Sequence, residues 1–497
     1  MGARRVDHAT GSTLNRPGRL TEPPGGPPRA PVRSGGPARP GGPGGPGGPG
    51  GPGRPGGHGG SGGVNRHDAG VQQRSDATTL ACLYVVILLI IPSRLVLAGL
   101  SFNLTPSLLL GLGLGMWWFC AQLVSSLGVS KGHTAVRTAL FCFLAANVAS
   151  YGYATYSWML NDELRAADRS FITIVGVIAM GIFVCDGVSS LSRLDTLLRT
   201  IVTTTSVVAV IGLLQFYFGL DLAKHLTLPG LHPVAPLNFI LQRSIFRRPA
   251  GTAGHPIEFG VIMAMVLPIA VHYAFRAHDR GEPTRRYWLA VTLIGMSAIV
   301  SLSRSAILGM IVAGLVLLPT WPARRRFRAL VVIGTFTVCM RLVVPGLIGT
   351  LLSLFTHLSN DPSVEGRTQD YSTVEKFFAE RPIFGRGFGT LLPQRYGTLD
   401  NQYLGSLVET GLVGLVTLVA LLFTGVFAAR AARRATDDTH LRDLAQSLAA
   451  SVVVLIAGYA TYDALGFVMS TALTFVLLGC IGALCRHIPA AREPRPA

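Results

Sequence analysis

From Thr79 to Cys485 the chain is a series of apolar segments of roughly 17–28 residues separated by polar breaks, most of them short. At about 1.5 Å per residue, one such segment crosses the hydrocarbon core of a bilayer. A chain that repeats it must satisfy its backbone internally, which leaves a bundle of membrane-spanning helices. The segments lie at about 79–100, 105–124, 136–155, 170–187, 198–219, 257–275, 287–302, 304–321, 328–352, 402–429, 444–462 and 465–485. Pro92 and Arg94 interrupt the first, and only Leu302-Ser303-Arg304-Ser305 parts the seventh from the eighth. The expected fold class is all-α: a polytopic helical membrane protein with about 12 transmembrane helices.

A net charge of +18 on 497 residues would suggest a nucleic-acid partner in a soluble protein. Here 49% of residues are apolar and 14% charged, and the basic residues form no patch. About ten fall in the first 78 residues and most of the rest in alternate short breaks: Lys131 and Arg137; Arg193 and Arg199; Arg276, Arg280, Arg285 and Arg286; Arg324, Arg325, Arg326 and Arg328; Arg430, Arg433, Arg434 and Arg442; Arg486, Arg492 and Arg495. The opposite breaks are mixed, as in Asn161-Asp162-Glu163 with Arg165, Asp168 and Arg169. This is the positive-inside pattern, with both termini cytoplasmic and no nucleic-acid partner. It puts the long loops 220–256 and 353–401 on the outer face, where no ATP is available, so chemistry there must use an activated substrate.

Residues 1–78, with GGPGGPGGPGGPG at 41–53, cannot bury a core and are expected to be a disordered cytoplasmic tail able to touch anionic lipid. With the first apolar run starting near Thr79, no signal peptide is expected. Residues 79–486 form the transmembrane domain and 487–497 a short cytoplasmic tail. The seven cysteines sit in or beside apolar runs, which implies no disulfide framework.

Candidate chemistry concentrates on the outer loops. Arg247-Arg248-Pro249-Ala250-Gly251-Thr252-Ala253-Gly254-His255-Pro256-Ile257-Glu258 ends at a helix start with Pro at its first position. His255 and Glu258 stand one helical turn apart. They can bind substrate, ligate a metal, or cap the helix and pair with Arg247 or Arg248. Arg304 between two spans is either snorkelling or lining a polar cavity. Arg94 and Arg341 read most simply as snorkelling, yet with Arg248, Arg304 and Arg367 they can form one cationic cavity suited to phosphate.

The longest polar interruption, Glu365–Gly414, begins with Arg367 and a helical spacing of Tyr371, Val374 and Phe378, an amphipathic helix over the membrane face. Gly385-Arg386-Gly387-Phe388-Gly389 is a phosphate cradle or a plain turn. Asp400, beside Asn401 and Tyr403, is a helix N-cap or a general base.

In order, Arg-Pro-Ala-Gly-Thr-Ala-Gly-His-Pro-Ile-Glu-Phe, Ser-Leu-Ser-Arg-Ser-Ala, Glu-Gly-Arg, Pro-Ile-Phe-Gly-Arg-Gly-Phe-Gly-Thr, Asp-Asn-Gln-Tyr-Leu and Val-Glu-Thr-Gly-Leu-Val-Gly-Leu, from about residue 248 to 415, resemble the O-antigen ligase and polymerase family. The resemblance implies a GT-C-like, metal-independent, inverting glycosyltransferase with no cofactor. Its donor would be a polyprenyl pyrophosphate-linked glycan, and its acceptor a glycan, lipid or wall polymer. By motif match Arg304 and Arg367, with Arg248 as a further candidate, would hold the pyrophosphate. Asp400 stands where the family often has histidine as base or acceptor-orienting group. Arg386, His255, Glu258, Asn401 and Tyr403 complete the substrate-binding candidates. Two rival readings are a twelve-span transporter or flippase of a lipid-linked glycan and a non-catalytic scaffold of envelope polysaccharide assembly.

Overall fold

The computed structural model describes residues 76–99, 103–123, 133–226, 228–235, 240–243, 246–346, 349–351, 371–372 and 374–490. The expected tail and Arg367 lie outside them. The helices are α1 (Ala77–Ile90), α2 (Pro106–Leu123), α3 (Ala135–Tyr156), α4 (Asn161–Gly187), α5 (Leu191–Phe218), α6 (Pro256–Asp279), α7 (Arg285–Val300), α8 (Arg304–Leu317), α9 (Ala323–Val343), α10 (Pro393–Tyr396), α11 (Gln402–Glu409), α12 (Gly411–Ala435), α13 (Thr439–Tyr459) and α14 (Val468–Ala490). Two small antiparallel sheets cap one end. One pairs β1 (Leu95–Leu97) with β2 (Leu231–Pro233), and the other pairs β3 (Ile240–Arg243) with β4 (Phe246–Pro249).

Among the described residues, eight helices are long and apolar enough to cross a membrane: α2 to α6 and α12 to α14. The α1 and α8 regions are apolar but shorter, so the expected twelve spans are matched by eight on that criterion. The chain is a multi-pass helical membrane protein.

Several boundaries differ from the hydropathy reading, each for a local reason. The first segment stops at Ile90, because Pro92 lacks an N–H and restricts the residue before it. The fourth begins early, at Asn161, with Asp162 and Glu163 in its first turn where the helix dipole favours acids. The tenth is two helices. Gly411 adopts φ +66°, and the loop residues Pro382 and Ile383 accept from Leu412 N (2.9 Å) and Val413 N (3.2 Å). The long loop thus supplies acceptors for the free first-turn donors of α12.

The last helix forms the axis of the core, with 89% of its apolar window buried, and it packs most extensively on α4. Gly479 and Gly482 of α14 face Gly181 and Cys185 of α4, and a Cβ on Gly479 would sit 2.5 Å from the Gly181 carbonyl oxygen. Small residues at this spacing allow close helix approach in a membrane.

The two ends of the bundle differ in chemistry. At one end, starts of α1, α3, α5, α9 and α13 meet ends of α4, α6 and α14. Arg137 pairs with Asp186 (3.1 Å), Arg325 with Asp443 (2.8 Å), Arg193 with Asp76, and Arg276 with Asp195. Arg486 donates to the Asp186 carbonyl (2.7 Å). The basic connections of the sequence therefore gather there. The other end carries the starts of α6, α8, α11 and α14, and the long loops.

Because the Gly181 oxygen is backbone and cannot swing away, Gly479→Ala is expected to destabilise the protein by about 1–3 kcal/mol. Thermal unfolding in detergent would show this as a lowered midpoint, whereas an unchanged midpoint would mean that α4 and α14 can separate freely.

Candidate active site

The Pro249–His255 turn is held from three sides. The Gln215 side chain clamps Gly251, accepting from its N–H (2.8 Å) and donating to its carbonyl (3.0 Å) and to Asp221 (3.0 Å). Gly251 has φ +62°, which glycine adopts without a Cβ penalty. Thr252 donates to the Leu89 carbonyl (2.6 Å), Ser93 N to the Thr252 carbonyl (3.0 Å), and the Arg94 guanidinium to the Gly254 carbonyl (2.8 Å). The arginine that interrupts the first apolar segment thus leaves the helix and binds the turn. Burial lowers its pKa against the raising influence of Asp221 and Glu258.

Glu258 is buried and accepts from Gly254 N (2.8 Å), Met469 N (2.8 Å) and Ser470 N (3.1 Å). Its carboxylate caps the start of α14. His255 caps α6, with Nδ1 accepting from Ile257 N (3.2 Å) and the ring against Phe467 at 5.9 Å. Burial, then the charges of Arg248 and Arg94, hold its pKa down at about 4. It is therefore a neutral imidazole at neutral pH, with its proton on Nε2.

The seventh and eighth apolar segments meet in a buried turn. Leu302 there has φ +50°, a strained conformation for a branched side chain. Arg248 Nε donates to the Ser301 carbonyl (3.3 Å), and Ser305 Oγ shares a 2.7 Å hydrogen bond with Thr461 Oγ1. Arg304, half-buried, opens α8 between these two tethers. Arg248 and Arg304 are thereby brought to the same turn.

The α13–α14 connection, residues 460–467, joins this turn to the long loop. Leu465 N donates to Gln402 Oε1 (2.6 Å), and Tyr403 OH donates to the Ile456 carbonyl (2.8 Å). Asn401 Oδ1 accepts from Tyr403 N (3.0 Å) and Leu404 N (3.3 Å). The cap of α11 is thus Asn401, which frees Asp400 of the capping role. Asn401 and Tyr403, expected as substrate contacts, use these side-chain atoms to hold α11 in place.

Asp463 is a residue that sequence reasoning missed. The residue is solvent-exposed in the 460–467 connection, with protein crowded around part of its carboxylate. Desolvation and the nearby Asp400 raise its pKa to about 6. The only signal in the sequence is an acid in the short gap between the last two apolar segments. Burial and Asp463 push the neighbouring Glu409 to about 8. Among the described residues, no three His, Cys, Asp or Glu side chains come together in a way that could hold a metal ion.

The glycine-rich loop is a packing element and not a phosphate cradle. Gly385, Gly387 and Gly389 all have positive φ, and Cβ atoms there would strike Glu409, Ala154 and Ser170. Its amides are engaged: Arg386 N donates to the Val408 carbonyl (3.1 Å) and Gly387 N to the Glu409 carbonyl (2.7 Å). The Arg386 side chain points to a separate recess, against Glu163 (3.2 Å) and Tyr396 OH (3.3 Å). The expected amphipathic helix is helical at 371–372 and 374–380. Val374 and Phe377 form its buried stripe against Val408, while Tyr371 is exposed.

Residues 288–419 match the family model described as O-Antigen ligase. The matched stretch, just over a quarter of the chain, is similar to an O-antigen ligase domain. The matched stretch runs from α7 into α12 and includes Arg304, Arg367, Arg386 and Asp400. The Arg248–Glu258 turn and Asp463 lie beyond it, and the fold brings them to its edge. Among curated proteins, no match is found. The match indicates a function of the O-antigen ligase or polymerase type.

The His255 shift has a consequence for stability. Its folded pKa of about 4 lies below its ordinary 6.5, so between these values the unfolded chain binds a proton that the folded one does not. The contribution is complete above pH 6.5 and is lost as pH falls toward 4. His255→Asn keeps a capping oxygen without a titrating group. Between pH 7.5 and 5, its unfolding midpoint should fall less than that of the parent; equal falls would mean that His255 is not held neutral.

Proposed function

We propose that the protein moves a glycan from a polyprenyl pyrophosphate carrier to an acceptor hydroxyl at the outer face of the bacterial cytoplasmic membrane. The observation that carries this reading is the meeting of Arg248, Arg304 and the carboxylates of Asp400 and Asp463 at the bundle end opposite the basic connections. By the positive-inside rule the basic end is cytoplasmic, so both termini lie inside and the site opens outward, with twelve passes of the membrane.

The acceptor oxygen forms a bond to the anomeric carbon as the bond from that carbon to the pyrophosphate oxygen breaks. The leaving group already carries activation, so the protein must orient the partners and stabilise developing charge. Arg304 and Arg367, with Arg248, hold the pyrophosphate through planar paired donors that stay charged at any accessible pH. Asp400 or Asp463 accepts the acceptor's proton on the opposite face, a single displacement that inverts the anomeric centre without a metal. A carboxyl with pKa near 6 is a better base than an ordinary one and remains ionised at neutral pH.

Removing one charge-stabilising donor commonly costs about 100–1,000-fold in rate. Arg304→Ala and Arg367→Ala should each lower transfer by about that factor while leaving folding intact. Asp463→Asn should lower the rate and abolish a limb near pH 6 in the kcat/KM profile. Parental rates in both arginine variants would sink the clamp. An unchanged limb with Asp463→Asn, lost instead with Asp400→Asn, would assign the base to Asp400.

A further inference from the structure

A second recess of about 200 Å³ opens between the α3–α4 turn and the long loop, walled by Trp158, Glu163, Glu380, Arg381, Arg386 and Tyr396. We propose that it is a binding subsite for an uncharged saccharide unit of the glycan substrate, distinct from the reacting centre. The proposal deepens the transferase reading and rests on it for the origin of the saccharide.

The lining is preorganised. The Arg386 guanidinium lies over an edge-to-face pair of rings, Phe377 (4.3 Å to the ring centre) and Tyr396 (5.3 Å), and bridges Glu163 at 3.2 Å and Glu380 at 3.5 Å. The Tyr396 hydroxyl donates to Glu163 in a short hydrogen bond. Arg395 pairs with Asp162 at 2.7 Å, which pins α10 to the first turn of α4. Little ordering is left for a ligand to induce.

The chemistry of the walls selects the class of ligand. Two carboxylates face two guanidiniums, so the recess has no net cationic field to draw in a phosphate. It offers planar donors and acceptors side by side, which suit hydroxyls that both give and take hydrogen bonds. Trp158 is 82% exposed at the rim, an aromatic face on which the apolar side of a sugar ring can stack.

The location suits a glycan several units long. Arg386 belongs to the turn whose later residue, Leu391, donates its N–H to Glu409 (3.2 Å) at the end of α11, and Gln402 at the start of α11 accepts from Leu465 N (2.6 Å), two residues beyond Asp463. One end of a chain can react beside Asp463 while a unit farther along it rests on Trp158. Such a remote contact stabilises ground and transition states alike and so acts on KM.

Trp158→Ala and Glu163→Gln test the subsite; the exposed Trp158 makes the first safe for folding. Saturation-transfer NMR on the purified full chain in nanodiscs would probe di- to tetrasaccharides of glucose, galactose, mannose, rhamnose and arabinose. At least one is expected to receive saturation from the parent, and to lose most of it in both variants. No transfer to any saccharide, or equal transfer in parent and variants, would overturn the subsite whatever the enzyme's activity, and would leave Trp158 as an interfacial anchor. In the transfer assay, Trp158→Ala should raise one KM about tenfold with kcat kept. A raised KM for acceptor assigns the unit to the acceptor chain; a raised KM for donor assigns it to the lipid-linked glycan. An unchanged KM for both would also overturn it. A parent inactive in transfer, yet binding saccharide at Trp158, would remove the transferase reading and keep the subsite.

Discussion

One buried carboxylate joins the parts of this protein that carry chemistry. Glu258 stands in the first turn of α6 and takes hydrogen bonds from the 249–255 turn behind it and from the start of α14 beside it. A carboxylate buried this deeply is costly unless its oxygens are satisfied, and the helix start of α14 supplies both donors and a favourable dipole. Removing it would leave three amides without acceptors at the point where the 460–467 connection enters α14. His255, Arg94 and Arg248 on one side and Asp463 on the other take their places from that junction.

Strain and close packing then keep the site open. Leu302 holds a positive φ where α7 gives way to α8, so that Arg304 starts a new helix at the end of the bundle opposite the basic connections. Gly385, Gly387, Gly389 and Gly411 let the long loop press onto α3, α4, α11 and α12. That loop is therefore a structural layer whose backbone completes the helix ends, and side chains such as Arg386 and Tyr396 project from it with little freedom. The apolar bundle supplies rigidity, while polar side chains collect at its ends because a membrane tolerates them only where they face water or one another.

Much of this was legible in the sequence. Hydropathy revealed the helices because each must bury or expose apolar length on the scale of the bilayer, and the basic breaks at Arg137, Arg193, Arg276, Arg325 and Arg486 do gather at one end. The motifs around Arg248, Arg304 and Asp400 lie together at the opposite end. What stayed hidden depends on long-range hydrogen bonding. Glu258 looked like a ligand because its partners, Met469 and Ser470, lie some 210 residues away. Asn401 and Tyr403 looked like substrate contacts because capping and packing use the same polar atoms as binding. Asp463 has no motif around it, and its raised pKa arises only when folding desolvates it and sets it near Asp400.

The central claim is that the outer end of this bundle cleaves a glycan from its lipid carrier and does not merely move or tether it. The direct measurement uses the purified chain in liposomes with a polyprenyl pyrophosphate-linked oligosaccharide and a hydroxyl-bearing glycan acceptor. The account predicts free polyprenyl pyrophosphate released in equal amount to glycan gained by the acceptor, with the new linkage inverted at the anomeric carbon. Carrier that crosses the bilayer with its glycan still attached, and no acceptor product, would contradict it.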